Sequence, residues 1–235
     1  MRPKVCVLRT DGTNGDEETK FAFELAGAEA CLVHINQLKR GREGLENYGM
    51  LVIPGGFSYG DDVSSGKILA LELMAFLKEE LEEFAGSGKP ILGIGNGFQV
   101  LLKTNLLPGK GFDNRSATLT GNRSGDFECR WVRLVVEESN CVFTKGMENE
   151  IVEMQVAHGE GQFFAEGGDL DDLERKGRVV LRYVDGSDTV TTAHPFNPDG
   201  SVNSIAGICD ETGRIFGMMP YPERFVTTEQ HPNWR

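Results

Sequence analysis

The sequence is poor in the residues that carry nucleophilic and metal chemistry. It has four histidines (His34, His158, His194, His231) and five cysteines (Cys6, Cys31, Cys129, Cys141, Cys209) in 235 residues. No two cysteines form a C-x-x-C pair, and no histidine lies at zinc-ligand spacing from a cysteine. A metal site and a disulfide framework are therefore both disfavoured. There is no N-terminal apolar signal segment, and no apolar run approaches the roughly eighteen residues a membrane span needs. The expectation is a reduced, soluble, cytoplasmic protein with no membrane partner. Positive charge is scarce too: Lys+Arg 24 against Asp+Glu 36 leaves a net charge of −12. Nucleic acids and anionic membranes need a positive footprint, so nucleic acid is not expected as a partner either. Linkers, low-complexity tracts and internal repeats are absent. With 39% hydrophobic residues, the chain can bury one large core, and residues 1–235 read as a single domain.

What is present first is alternation. KVCVLRT (4–10), ACLVHI (30–35), MLVIPGG (50–56) and the apolar run at 90–94 read as strands. Helical patterns separate them. One runs from a cap at Asp16 to Ala28; a longer one, GKILALELMAFLKEELEEFAG, is capped by Ser64 or Ser65. Strands and helices alternating at this spacing predict an α/β fold, a mostly parallel sheet with helices on both faces. Beyond residue 117 the chain is richer in strands: TLTGN, FECRWVRLVV, IVEMQVAH, QFFA, RVVLRYV, SIAGICD and IFGMMP. The polar tail YPERFVTTEQHPNWR is expected to wrap over the surface.

The most informative segment is ILGIGNGFQVLL at 91–102, which has the form of a nucleophile elbow without a nucleophile. In such a turn flanking glycines, here Gly93 and Gly97, let the chain pass sharply from strand to helix. The central side chain then stands exposed beside backbone N–H groups that hold an oxyanion. The chemistry needs Ser or Cys, and the residue is Gly95. A second turn, PGGFSYGD at 54–61, would bring the bare N–H groups of Gly55 and Gly56 to the same carboxyl edge of the sheet, which suits an oxyanion hole. A simple tight turn is the competing reading. Near the C-terminus, GMMPYPER offers Glu223 as a base-orienting carboxylate, while Tyr221, with an ordinary phenol near pKa 10, is a poor general base. His158, between a strand and a glycine turn, reads as hydrogen-bonded structure. Two nucleotide-like motifs fail. In GDDVSSGK five residues rather than four separate Gly60 from Gly66, and Ile68 stands where a magnesium-binding Ser/Thr belongs. The Gly93–Gly95–Gly97 cluster lacks the third glycine of a dinucleotide loop.

Taken in order, PGGFSYGDD, GKILA, GIGNGFQVLL, FECRW, AHGEGQF, LRYVD, SIAGICD and GMMPYPER resemble the family of glutaminase subunits of phosphoribosylformylglycinamidine synthase, class I glutamine amidotransferases of purine biosynthesis. The resemblance covers nearly the whole chain. It implies a flavodoxin-like fold and a Cys–His–Glu catalytic unit that hydrolyses glutamine and passes ammonia to a synthetase subunit. That partner, not this chain, would use ATP and magnesium. It also implies that Gly95 occupies the nucleophile position, Tyr221 the base position, and Glu223 the retained third position. Gly55, Gly56 and Asn96 fall at the oxyanion and glutamine-binding positions, and another family cysteine corresponds to Gly15. With neither thiol nor imidazole, the expected outcome is a pseudoenzyme with an intact, slightly enlarged pocket in which the N–H groups of Gly56 and Asn96 converge. Three readings stay open: a dead subunit that still docks on its synthetase, an active amidotransferase whose sequence carries inactivating substitutions, and a non-catalytic binding or regulatory protein that holds glutamine or another small molecule.

Overall fold

The computed structural model describes residues 2–109 and 117–235. The first half of the chain forms β1 (Lys4–Arg9), α1 (Asp16–Leu25), β2 (Glu29–His34), α2 (Ile35–Lys39), β3 (Met50–Ile53), α3 (Lys67–Phe76), α4 (Lys78–Gly86), β4 (Ile91–Ile94) and α5 (Asn96–Lys103). The second half forms β5 (Ala117–Thr120), β6 (Glu128–Val136), β7 (Ile151–His158), β8 (Gln162–Ala165), α6 (Gly167–Arg175), β9 (Val179–Val184), β10 (Ile205–Cys209) and β11 (Ile215–Met218).

Nine of these strands make one sheet in the order β2-β1-β3-β4-β11-β10-β9-β6-β7; β5 and β8 pair separately. From β2 to β11 every pairing is parallel, as the alternation predicts. From β11 to β7 every pairing is antiparallel, so the sheet is mixed. The parallel strands are buried on both faces, which is why they read as near-continuous apolar runs. In β1, Cys6 and Leu8 enter one core cluster and Val5 and Val7 the other. Helices α2 to α6 pack on the first face through Leu38, Leu73, Leu81, Phe98 and Leu173. Helix α1 covers the opposite face through Phe23.

Three local expectations are corrected. The long helix is two helices, broken at Leu77 (φ −131°, ψ 17°) although the apolar spacing runs through the break. Its cap is neither Ser64 nor Ser65: Gly66, left-handed at φ 73°, precedes α3, and its N–H donates to Asp61 Oδ1 at 3.2 Å. Asp16 is the first helical residue rather than the cap, because its carboxylate is drawn to Arg9 at 3.0 Å. Helix α6 (GGDLDDLER) was not anticipated. It opens on two glycines and buries Leu173 alone, so little apolar period marks it. The tail does lie over the sheet, where Phe225 and His231 close on Trp131 with ring centroids 5.1 and 4.6 Å away.

Candidate active site

Strand β4 ends at Ile94 and α5 begins at Asn96, leaving Gly95 alone to make the turn. Its backbone sits at φ 52°, ψ −110°, a conformation that strains any residue bearing a Cβ. Gly95 N–H donates to Met218 O of β11 at 2.8 Å, and its carbonyl accepts Phe98 N–H at 3.0 Å to start the helix. The flanking glycines are demanded by close approach. A Cβ on Gly97 would stand 1.8 Å from Ile53 O of β3, and one on Gly93 would stand 2.6 Å from Gly97 O. The elbow expected from the spacing is therefore built, with glycine at its point.

Tyr221 follows β11, and its N–H donates to Gln155 O of β7 at 2.9 Å. That bond turns the side chain inward, and the ring is buried. The phenol donates to Ala157 O at 3.3 Å. A Cβ on Gly95 would stand 2.3 Å from Tyr221 Oη, and a Cβ on Gly55 would stand 2.3 Å from Tyr221 Cε1. The ring is thus wedged between the elbow and the Pro-Gly-Gly turn. This corrects the expectation of an enlarged vacant pocket: the space left without a Cβ at residue 95 is filled by the phenol. Burial pushes the Tyr221 hydroxyl well above the ordinary phenol value, so it is neither a base nor a nucleophile near neutrality.

Glu223 lies in the turn Pro222–Arg224 and is buried, and neither carboxylate oxygen has a hydrogen-bond partner among the described residues. Burial pushes its carboxyl up to about 8, so near neutrality it holds its proton. Arg224 turns back over the Tyr221 ring, its guanidinium carbon 4.2 Å from the centroid, while Nε donates to Glu18 Oε2 of α1 at 3.1 Å. Sequence reasoning missed Arg224 and Glu18, because their separation along the chain gives no sign that they meet.

The oxyanion candidates lie on the two turns that meet at Tyr221. Gly56 has φ 137°, and a Cβ there would stand 2.7 Å from Asn14 N. Gly55 O accepts Gly15 N–H at 3.1 Å, which places Gly15 against the same turn. The Asn96 side chain is tied into a buried network. Its Oδ1 accepts Ser58 Oγ at 2.6 Å, and its Nδ2 donates to Asp61 Oδ1 at 2.9 Å and Gln99 Oε1 at 3.1 Å. These bonds fix the start of α5 against the loop after β3. His158 is structural: Nδ1 lies 3.1 Å from Asn122 Oδ1, and burial pushes the imidazole down to about 4. Among the described residues, no group of three His, Cys, Asp or Glu side chains could hold a metal ion, and no helix is long and apolar enough to cross a membrane.

The CobB/CobQ-like glutamine amidotransferase domain matches residues 2–235. The chain belongs to this amidotransferase family. Relatives include the phosphoribosylformylglycinamidine synthase subunit PurQ of Dehalococcoides mccartyi, 47% identical over 98% of this chain and 89% of the relative. PurQ of Treponema denticola is 44% identical over 98% of this chain and 91% of the relative. Among solved structures, PurLQS from Thermotoga maritima aligns with a TM-score of 0.79 at 35% identity, covering 100% of this chain and 94% of that chain. Within the amidotransferase family the elbow and the Pro-Gly-Gly turn are thus set in the expected fold, with Tyr221 between them.

Proposed function

We propose that this chain is a PurQ-type subunit that docks on a synthetase subunit of phosphoribosylformylglycinamidine synthase in the cytoplasm and does not itself hydrolyse glutamine. One observation carries the reading: the Tyr221 phenol stands 2.3 Å from where a nucleophile's Cβ would begin at residue 95. In this reading Gly95 and Tyr221 hold the nucleophile and base positions without their chemistry, and Glu223 is the third member left with nothing to orient. Gly55, Gly56 and Asn96 are the former oxyanion and glutamine positions. Without a thiol no acyl intermediate forms, and without an imidazole no water is activated. Loss of one such member costs about 10⁴ to 10⁶ in rate, and further losses add little because the unit has already failed. The filled turn also disfavours glutamine as a retained ligand. ATP and magnesium belong to the partner's chemistry. The docking surface involves many residues outside this pocket, so association survives.

The test is synthesis by the chain combined with its synthetase subunit, supplied with glutamine or with ammonium salt. Ammonia-dependent synthesis is expected to proceed and glutamine-dependent synthesis to be absent. The double substitution Gly95→Cys with Tyr221→His is expected to restore the glutamine-dependent reaction. Family-like glutamine turnover by the unaltered chain would overturn the reading.

A further inference from the structure

Tyr221 is buried, yet its polar ties are few. Among the described residues its phenol has one hydrogen bond, to Ala157 O at 3.3 Å, long for a hydroxyl donor. Its backbone N–H reaches Gln155 O of β7 at 2.9 Å, and the two residues form an isolated bridge between this turn and the sheet.

The residues that follow close around that bridge. Gln155 sits opposite Trp131 of β6. The Trp131 ring takes Phe225 edge-on, with centroids 5.1 Å apart and planes at 89°, and His231 at 4.6 Å and 71°. Phe225 and His231 also meet each other, at 5.4 Å. His231 Nε2 lies 2.7 Å from Glu153 Oε2, two residues before Gln155 on β7. The tail is folded in itself but lightly attached. Gln230 Oε1 accepts the N–H groups of Val226 and Thr227 at 2.7 and 2.9 Å, and His231 Nδ1 accepts Asn233 N–H at 3.1 Å. Residues 227–230 and 232–235 are exposed, so Phe225 and His231 serve as its anchors. A terminal segment with so few buried contacts can lift as a unit while the sheet stays folded.

We propose that residues 225–235 are an autoinhibitory strap. Seated on Trp131 and Glu153, the strap holds the Tyr221 ring in the elbow. When it lifts, the ring swings out, and the space between Gly55 and Gly95 that the ring now fills opens to a ligand. The order of contacts supplies the coupling: the strap presses on Trp131, Trp131 stands beside Gln155, and Gln155 fixes Tyr221. The elbow is then shut by a part that can leave rather than by a fixed wall. The inference rests on the reading of this site as a filled elbow. Its test needs no synthetase subunit, so a failure here is distinct from a failure of ammonia-dependent synthesis.

Hydroxyl-radical footprinting, read residue by residue by peptide mass spectrometry, reports Trp131 and Tyr221 separately. Tyr183, fully buried in the core, shows whether the chain stays folded. In the parent chain Tyr221 is expected to be protected. In a chain ending at Arg224, oxidation of Trp131 and Tyr221 is expected to rise together, by at least about fivefold, with Tyr183 unchanged. His231→Ala in the full-length chain removes one anchor and is expected to raise both by a smaller factor. Trp131 exposed while Tyr221 stays protected would overturn the proposal, as would no rise at either residue. Oxidation of Tyr183 alongside Tyr221 would show that the tail holds the whole fold rather than the ring, and would overturn it too. If the shortened chain does not fold, the full-length His231→Ala chain decides: a joint rise supports the strap, and a rise at Trp131 alone sinks it.

Discussion

Gly95 and Tyr221 fit as a pair in which one side chain occupies the room the other gives up. The consequence is steric before it is catalytic. Gly95→Cys alone puts a Cβ 2.3 Å from the phenol oxygen and a side chain on a backbone at φ 52°. Overpacking and left-handed strain together are expected to cost about 2–4 kcal/mol. Adding Tyr221→His relieves the collision, so the double variant should be more stable than Gly95→Cys alone. Chemical denaturation of the three chains measures this, and a Gly95→Cys chain as stable as the parent would show that the ring moves aside freely. Arg224 acts one step further out. Removing it by Arg224→Ala takes away the cation over the ring and the Glu18 pair, both partly exposed, for an expected loss of about 0.5–1 kcal/mol. Glycine at the elbow was legible in the sequence because strand, turn and helix are contiguous there. That the pocket is filled was not, because the direction of the Tyr221 ring is set by a bond to Gln155 on a strand far away in sequence.

Elements were legible where their cause was local. Strands β1, β3 and β4 announce themselves as apolar runs bounded by glycine or proline, and Gly97 marks the helix that must pass close to a strand. The break at Leu77 and the left-handed turn at Gly66 were not legible. Nothing in the spacing of GKILALELMAFLKEELEEFAG interrupts a helix, and the bond from Gly66 to Asp61 competes with any serine cap. The same reasoning locates the most intolerant glycine. At Gly97 a Cβ would meet backbone, Ile53 O at 1.8 Å, so neither side can yield by rotating a side chain. Gly97→Ala should push α5 off β3 and cost more than about 3 kcal/mol, enough to remove most of the soluble folded protein. A Gly97→Ala chain with an unaltered denaturation midpoint would mean that the close approach of helix and strand is not required.

At the scale of the whole molecule, sequence order hides the sheet. β11 is the last strand in the chain yet completes the parallel half by pairing with β4, and its antiparallel hairpin with β10 opens the other half. That placement brings Tyr221 beside an elbow formed more than a hundred residues earlier and buries Glu223 two residues on, where it contributes to the pH response of the fold. Glu223 holds its proton in the folded chain up to about 8, against an ordinary value of 4.5. Between those values the unfolded chain has lost that proton and the folded chain keeps it. Unfolding therefore releases a proton, and stability falls as pH rises through the window, by at most about 1.4 kcal/mol per pH unit for one group. His158 works the other way at lower pH. It is pushed down to about 4 from an ordinary 6.5, so stability falls as pH drops through that range. Asp199, raised to about 6 by burial, completes its own change below that value. Between about pH 7 and 8 the unfolded His158 imidazole is mostly neutral and Asp199 is ionised, and the Glu223 effect dominates. Urea denaturation across that interval should show the parent chain losing about 1 kcal/mol with rising pH. A Glu223→Gln chain has no proton to release there and should be level. Equal slopes in the two chains would mean that Glu223 is hydrated or paired in the folded protein, and that the carboxylate has not been left without a partner by the tyrosine at residue 221.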